Sequence, residues 1–236
     1  MVINNTGNDK AHFTVVLLCC ADGTTLPPFI IFKGSSNGTN IKKVRQQVEE
    51  KELDVYITFQ KNGWMDSTVM VHEWAGYNYL NSCRLVSKSA NSFSSSSSSS
   101  NIYNTNSNFL DNRSSNQRLH LHRKLLLLDS FSAHLKDSVK AAIKGKTNVD
   151  LAVVPGGYTS LLQPLDVGII KPFKDGYRRR WHHWMLSNAF SNINKLKRPD
   201  YLTVCQWVSE SWEDLRMKAV IPNSFRRALD LKNTVE

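Results

Sequence analysis

Asp129 and Asp166 are the residues whose setting in the chain points to chemistry. Asp129 directly follows the apolar run Leu125–Leu128, and Asp166 follows a second run, Leu151–Val154, across a Pro155-Gly156-Gly157 turn and a Gln163-Pro164 step. Short apolar runs of this kind suit strands buried on both faces. A side chain at the carboxyl end of such a strand enters the crevice in which open α/β sheets bind ligands. The chain therefore brings two carboxylates toward one sheet edge, where they could act on a bound ligand. Spacing alone does not settle the matter in a chain with 20 acidic residues. A helix N-cap for Asp129 and a turn residue for Asp166 are the ordinary alternatives.

The elements that must position these acids can be read around them. Residues 133–144 have a helical period, with Leu135, Val139, Ala142 and Ile143 on one face, so the two apolar strands and this helix make a βαβ unit. Upstream, Phe13–Cys20 and Phe29–Lys33 read as strands joined through an Asp22-Gly23 turn, a hairpin. Ile41 begins a polar helical stretch that ends in a strand at Val55–Phe59. Asp66 and Ser67 are N-cap candidates for a helix carrying Val69, Trp74, Tyr77 and Leu80 on its apolar face. Leu85 to about Gln117, with its run of Ser and many Asn, is too polar to bury a core and reads as a disordered insertion at about 86–117 within one domain spanning 1–236.

Several stretches are specific enough to carry a resemblance. LLLLDSFSAH followed by VVPGGYTSLLQPLDVGIIKPFK closely resembles the catalytic core of pogo/Tigger-type transposases, members of the DDE superfamily that includes centromere protein B and jerky-like relatives. TGNDKAHFTVVLLCCADGTTLPPFIIFK is similar to the hairpin of the same family, and the Trp-Glu and Asn-Ser-Phe steps after Tyr201 extend the likeness nearly to the end. The resemblance implies an α/β, ribonuclease H-like fold, a mixed sheet flanked by helices. It also implies that Asp129 and Asp166 are the second and third acids of a metal-binding catalytic triad holding Mg²⁺ or Mn²⁺, which prefer hard oxygen ligands. Two such ions would support in-line phosphoryl transfer without a covalent Ser or Cys intermediate. His134 would stand behind Asp129 as a second ring of support, and Gln163 would be a polar substrate contact. The first acid of that family lies on a strand upstream of the hairpin, in an Asp-Glu-Thr-like motif. Neither Asp9 nor Asp22 sits in such a motif, so the chain is expected to lack the first catalytic strand. That strand would run mid-sheet, between the hairpin and the Asp129 strand, and its loss would leave open edges.

Charge points the same way. A formal net charge of +10 and a pI near 9.5 favour a polyanionic partner. Lys171, Lys174, Arg178, Arg179 and Arg180 cluster just after Asp166, interleaved with Phe173, Tyr177, Trp181 and Trp184, as an amphipathic helix with a basic outer face. Those cations and Gln163 are the expected DNA contacts, and the resemblance places the protein in the nucleus. His120 and His122 beside Arg118 read as an exposed basic strand entrance rather than metal ligands. Cys19, Cys20, Cys83 and Cys205 form no Cys-x-x-Cys pair, so a structural zinc site is not expected. No apolar stretch is long enough to span a bilayer, so no membrane partner is expected. Three functions compete: a transposase-derived, catalytically incomplete DNA-binding protein; a fragment of an active Mg²⁺-dependent transposase; and a non-catalytic dimerisation or interaction module, the chain being in any case a possible homo-oligomer.

Overall fold

The structure is a computed structural model and describes residues 12–35, 38–75, 124–146, 149–188 and 198–229. The Ser/Asn-rich insertion, Asp9, Tyr77, Leu80, Cys83, Arg118, His120 and His122 lie outside the described residues.

Strand β1 (Phe13–Val16) pairs antiparallel with β2 (Phe29–Lys33), Phe13 opposite Phe32 and Val16 opposite Phe29. Asp22 tightens the connection by accepting the Thr24 N–H at 2.8 Å, and Gly23 takes φ of 92°, a left-handed conformation that favours glycine. Asp22 is thus a turn residue, as its sequence context indicates. Strand β3 (Tyr56–Gln60) adds parallel to β2, and the parallel crossover is made by α1 (Thr39–Glu50).

The β2 strand alternates between two cores, as a period of two requires. Ile30 and Phe32 join one cluster with Ile41, Phe173, Val208 and Trp212. Phe29 and Ile31 join another with Met70, Trp74, Leu126 and Ile143. The first sheet is therefore buried on both faces, by helices on one side and by the second βαβ unit with helix α2 (Val69–Trp74, π-type) on the other. Asp66 starts α2 as expected, its Oδ1 accepting the Val69 N–H at 2.8 Å.

The second sheet consists of β4 (Lys124–Leu128) and β5 (Val149–Val153), which pair in parallel. Their crossover differs from the single expected helix. It is split into α3 (Ser132–Leu135) and α4 (Asp137–Lys146), because Lys136 is extended at ψ of 134°. The break moves Leu135 off the buried stripe: Val139 and Ile143 are fully buried while Leu135 is exposed. Strand β4 departs similarly from burial on both faces, with Leu126 and Leu128 inside and Leu125 exposed.

A short helix α5 (Thr159–Leu162) and a π-helical turn (Leu165–Ile169) lead into the long α6 (Ile170–Asn188). Helices α7 (Tyr201–Arg216) and α8 (Val220–Leu229) close the first core. Asp200 caps α7 by accepting the Thr203 N–H at 2.8 Å, and Trp212 donates its indole N–H to the Leu26 carbonyl at 2.9 Å, tying α7 to the hairpin. The result is a mixed α/β architecture. Its described strands form two sheets, β1-β2-β3 and β4-β5, rather than one continuous sheet.

Candidate functional site

Asp129 leaves β4 at its carboxyl end, as the run of leucines requires, and its carboxylate is held locally. Oδ1 lies 2.6 Å from His134 Nδ1 and also accepts the Phe131 N–H at 3.2 Å. With a proton on Nδ1 the imidazole is the donor in this pair. His134 thus orients Asp129. It can do so because α3 turns the chain back over the strand end, and the short helix is what places position 134 above position 129. The Pro155-Gly156-Gly157 turn passes close by: a β-carbon on Gly156 would stand 3.5 Å from Ser130 Oγ.

A cavity of about 610 Å³ opens beside Asp129. It gathers Asp129, His134 and Gln163 with Lys174 and Arg178 of α6. Gln163 Oε1 is buried there without a hydrogen-bond partner among the described residues. Asp166 is not brought into this group. It lies in the first turn of the π-helical segment, exposed, and does not line the cavity.

Whether these acids fit a two-ion centre can be judged from the donor set. Asp129 has its Oδ1 engaged by His134 and Phe131, which leaves Oδ2 to face a ligand. Among the described residues no group of three or more His, Cys, Asp or Glu side chains converges to hold a metal ion. The residues present do not fit a paired-ion site, which needs carboxylates to bridge and flank both cations.

The basic helix divides in two. Lys171, Lys174, Arg178 and Arg179 are exposed. Arg180 is about two and a half turns from Lys171 and so points to the opposite side of α6. There its guanidinium reaches Glu210 at 2.8 Å and Asp214 at 3.0 Å, and bonds the Gly176 carbonyl and Ser211 Oγ at 3.3 Å each. Burial works against its charge, but these partners outweigh it and raise its pKa further. Arg180 is therefore a clamp between α6 and α7. Nothing in the Arg178-Arg179-Arg180 run distinguishes it; the available signal is the pair Glu210 and Asp214, four apart on one face of the next helix. The aromatic residues of α6 serve packing: Tyr177 stacks edge-on against Trp207 and Trp184 does the same, with centroids 5.8 and 6.0 Å apart. Burial pushes the Tyr177 hydroxyl up to about 12.

Comparison with known proteins places this geometry in a family. Over 229 residues, 96% of the chain, it is 25% identical to "Pogo transposable element with KRAB domain" of Mus musculus, covering 30% of that protein. It is 27% identical over 106 residues (44% of the chain, 21% of the relative) to "CENP-B homolog protein 2" of Schizosaccharomyces pombe. It is 24% identical over 103 residues (43% of the chain, 20% of the relative) to "ARS-binding protein 1" of the same yeast. The chain thus spans less than a third of the length of these relatives. No solved structure matches it. The profile of the DDE superfamily endonucleases matches residues 10–90 and 104–225, including Asp129, Asp166 and the whole described βαβ unit, so the chain belongs to the DDE superfamily endonuclease family.

Proposed function

We propose that this chain is a transposase-derived nuclear protein that holds DNA through its phosphates and does not cleave it on its own. The observation that carries the reading is the mismatch between a well-built basic face and an incomplete acid site. Lys171, Lys174, Arg178 and Arg179 stand exposed on α6, and Lys174 and Arg178 border the same cavity as Asp129. The acids needed for two ions do not converge among the described residues. Phosphate contacts from Lys and Arg give affinity without base readout. The names of two relatives, one for centromere protein B and one for binding ARS, agree with a DNA partner. A ribonuclease H-like arrangement is the fold we assign to the two sheets, with Asp129 and Asp166 as surviving members of the triad, Gln163 as a polar contact to the nucleic acid and His134 as the group that orients Asp129.

The test is the salt dependence of binding. Lys174→Glu, Arg178→Glu and Arg179→Glu together are expected to weaken binding to any duplex and to lower the slope of log affinity against log salt by roughly 0.9 for each phosphate no longer neutralised. Unchanged affinity and slope would overturn the assignment, as would discrimination of one sequence by more than about 3 kcal/mol, the scale of base-edge recognition.

One observation favours a second reading, a piece of an active Mg²⁺-dependent transposase. The pogo-type relatives are over three times as long as the matched region. A longer polypeptide containing this chain that cleaves DNA only with Asp129 intact would establish it.

A further inference from the structure

The outer face of α6 does not end at the arginines. A helix turns once in 3.6 residues, so Lys171, Lys174, Arg178 and His182, spaced three, four and four apart, lie along one side of it. From Lys171 to His182 is about three turns, or roughly 16 Å along the axis. His182 follows Arg180 by more than half a turn and so points away from α7, which holds the Arg180 guanidinium. It is exposed. Among the described residues it makes no hydrogen bond or ion pair, and its ring meets Trp181 edge-on with centroids 5.2 Å apart. The charged groups on the elements around it are engaged elsewhere or lie far off. Asp175, two turns earlier on the same side, is paired with Arg178 at 3.3 Å. On α7, Glu210 and Asp214 hold Arg180, Glu213 pairs with Arg216, and Asp200 caps its own helix. Asp129 is paired with His134 and lines the cavity, which His182 does not border. Asp166 precedes α6, at the far end from His182.

We propose that His182 is a further phosphate contact on the basic face of α6, and that DNA binding to this face takes up a proton there. The inference rests on the DNA-binding reading above and adds to it a residue and a pH dependence. Imidazole is the side chain whose charge ordinarily changes between pH 5 and 8. The neutral ring offers one N–H, whereas the protonated ring donates from both nitrogens and carries a full charge. A phosphate placed beside it favours the charged form. Linkage then fixes the sign. If DNA promotes protonation, protonation promotes DNA binding by the same factor, so affinity rises as pH falls through the histidine range and levels off once the ring is charged in the free protein as well. Lysine and arginine do not change charge there, so the pH dependence belongs to histidine. A charged His182 against a phosphate displaces counterions as a lysine does, and the salt dependence steepens with it.

The test measures binding of the full chain to a short duplex at about pH 8 and about pH 6, each across a salt series. For the wild type, acidification is expected to tighten binding severalfold and to steepen the slope of log affinity against log salt by roughly 0.9, the mark of one added phosphate contact. Calorimetry in buffers of different ionisation heat should register proton uptake on binding. His182→Gln is expected to lose at least about half of the affinity gain. His182→Arg, charged at both pH values, should bind at about pH 8 as tightly as the wild type does at about pH 6. His12, His72, His134 and His183 are present in every variant, so any gain that His182→Gln keeps belongs to other histidines. A His182→Gln protein that keeps more than about half of the gain overturns the proposal. So does a His182→Arg protein that binds at the higher pH no more tightly than the wild type. Wild-type binding that is firm at the higher pH and unchanged on acidification overturns this inference alone, whereas an absence of binding at either pH overturns the DNA-binding reading with it.

Discussion

Three successive arginines show how far a residue's role depends on its angle around a helix. Arg178 and Arg179 are exposed, while Arg180 spends its guanidinium on Glu210, Asp214, Ser211 and the Gly176 carbonyl. Arg180→Met is therefore expected to lower stability by about 2 kcal/mol, since two carboxylates lose a half-buried partner, and to leave the salt slope of DNA binding unchanged. Urea unfolding and a salt titration measure the two effects. A mutant of full stability with a flattened salt slope would reverse the roles. The thiols offer a second residue-scale expectation. Burial pushes Cys19 and Cys205 up to about 12 from an ordinary value of 9.0. At pH 8 their thiolate fractions then fall roughly a thousandfold below that of an exposed thiol, and alkylation should be slow by that factor until the protein unfolds. The sign of the linked stability follows. Folding disfavours the thiolate, so this contribution is fully present below pH 9 and is lost as pH rises from 9 toward 12. Rapid modification of both thiols in the folded protein would contradict it.

Between residues and molecule, the elements decide which apolar side chains matter. The break at Lys136 predicts unequal costs along what the sequence presents as one helical face. Ile143→Ala should cost about 3 kcal/mol, as expected for a fully buried side chain, and Leu135→Ala less than about 0.5 kcal/mol. Equal midpoint shifts in urea would mean that the crossover is one helix after all. Much of this scale was legible in the sequence. The hairpin, the Asp66 cap and the βαβ unit each follow from local rules of period and turn chemistry, and the structure has them. The split crossover was not legible, because helical period carries no signal for a single extended residue. Asp129 could be placed from the leucine run that precedes it, and His134 only from the resemblance to the family. That Asp166 falls in a π-helical turn and does not line the cavity was not legible, since it depends on where that turn begins. Arg180's partners lie 30 and 34 residues further on, a long-range pairing that charge patterning cannot assign.

For the whole molecule, the two cores meet at β2, whose side chains alternate between them, and one cavity is bordered by residues of both described sheets. The first core is built by the first sheet with α1, α6, α7 and α8, and the second by residues of both sheets with α4 and α2. Asp129 lines that cavity. Asp129 is oriented by His134, Asp166 does not line the cavity, and among the described residues no group of three or more His, Cys, Asp or Glu converges to hold a metal ion. In-line phosphoryl transfer needs one cation to sharpen the nucleophile and another to take up charge on the leaving oxygen, with both held in fixed geometry. A chain that presents one oriented carboxylate can attract a single ion without setting that geometry. We therefore expect the purified chain to leave supercoiled and linear DNA intact in Mg²⁺ or Mn²⁺ while still retarding both in a gel at low salt. Asp129→Asn should not weaken that binding, and in the absence of metal it should strengthen it, because a negative charge is removed from beside the Lys174 and Arg178 cations that border the cavity. Metal-dependent nicking by the wild-type chain that disappears in Asp129→Asn would show that the two aspartates suffice, and that the described acids move together when DNA and metal bind.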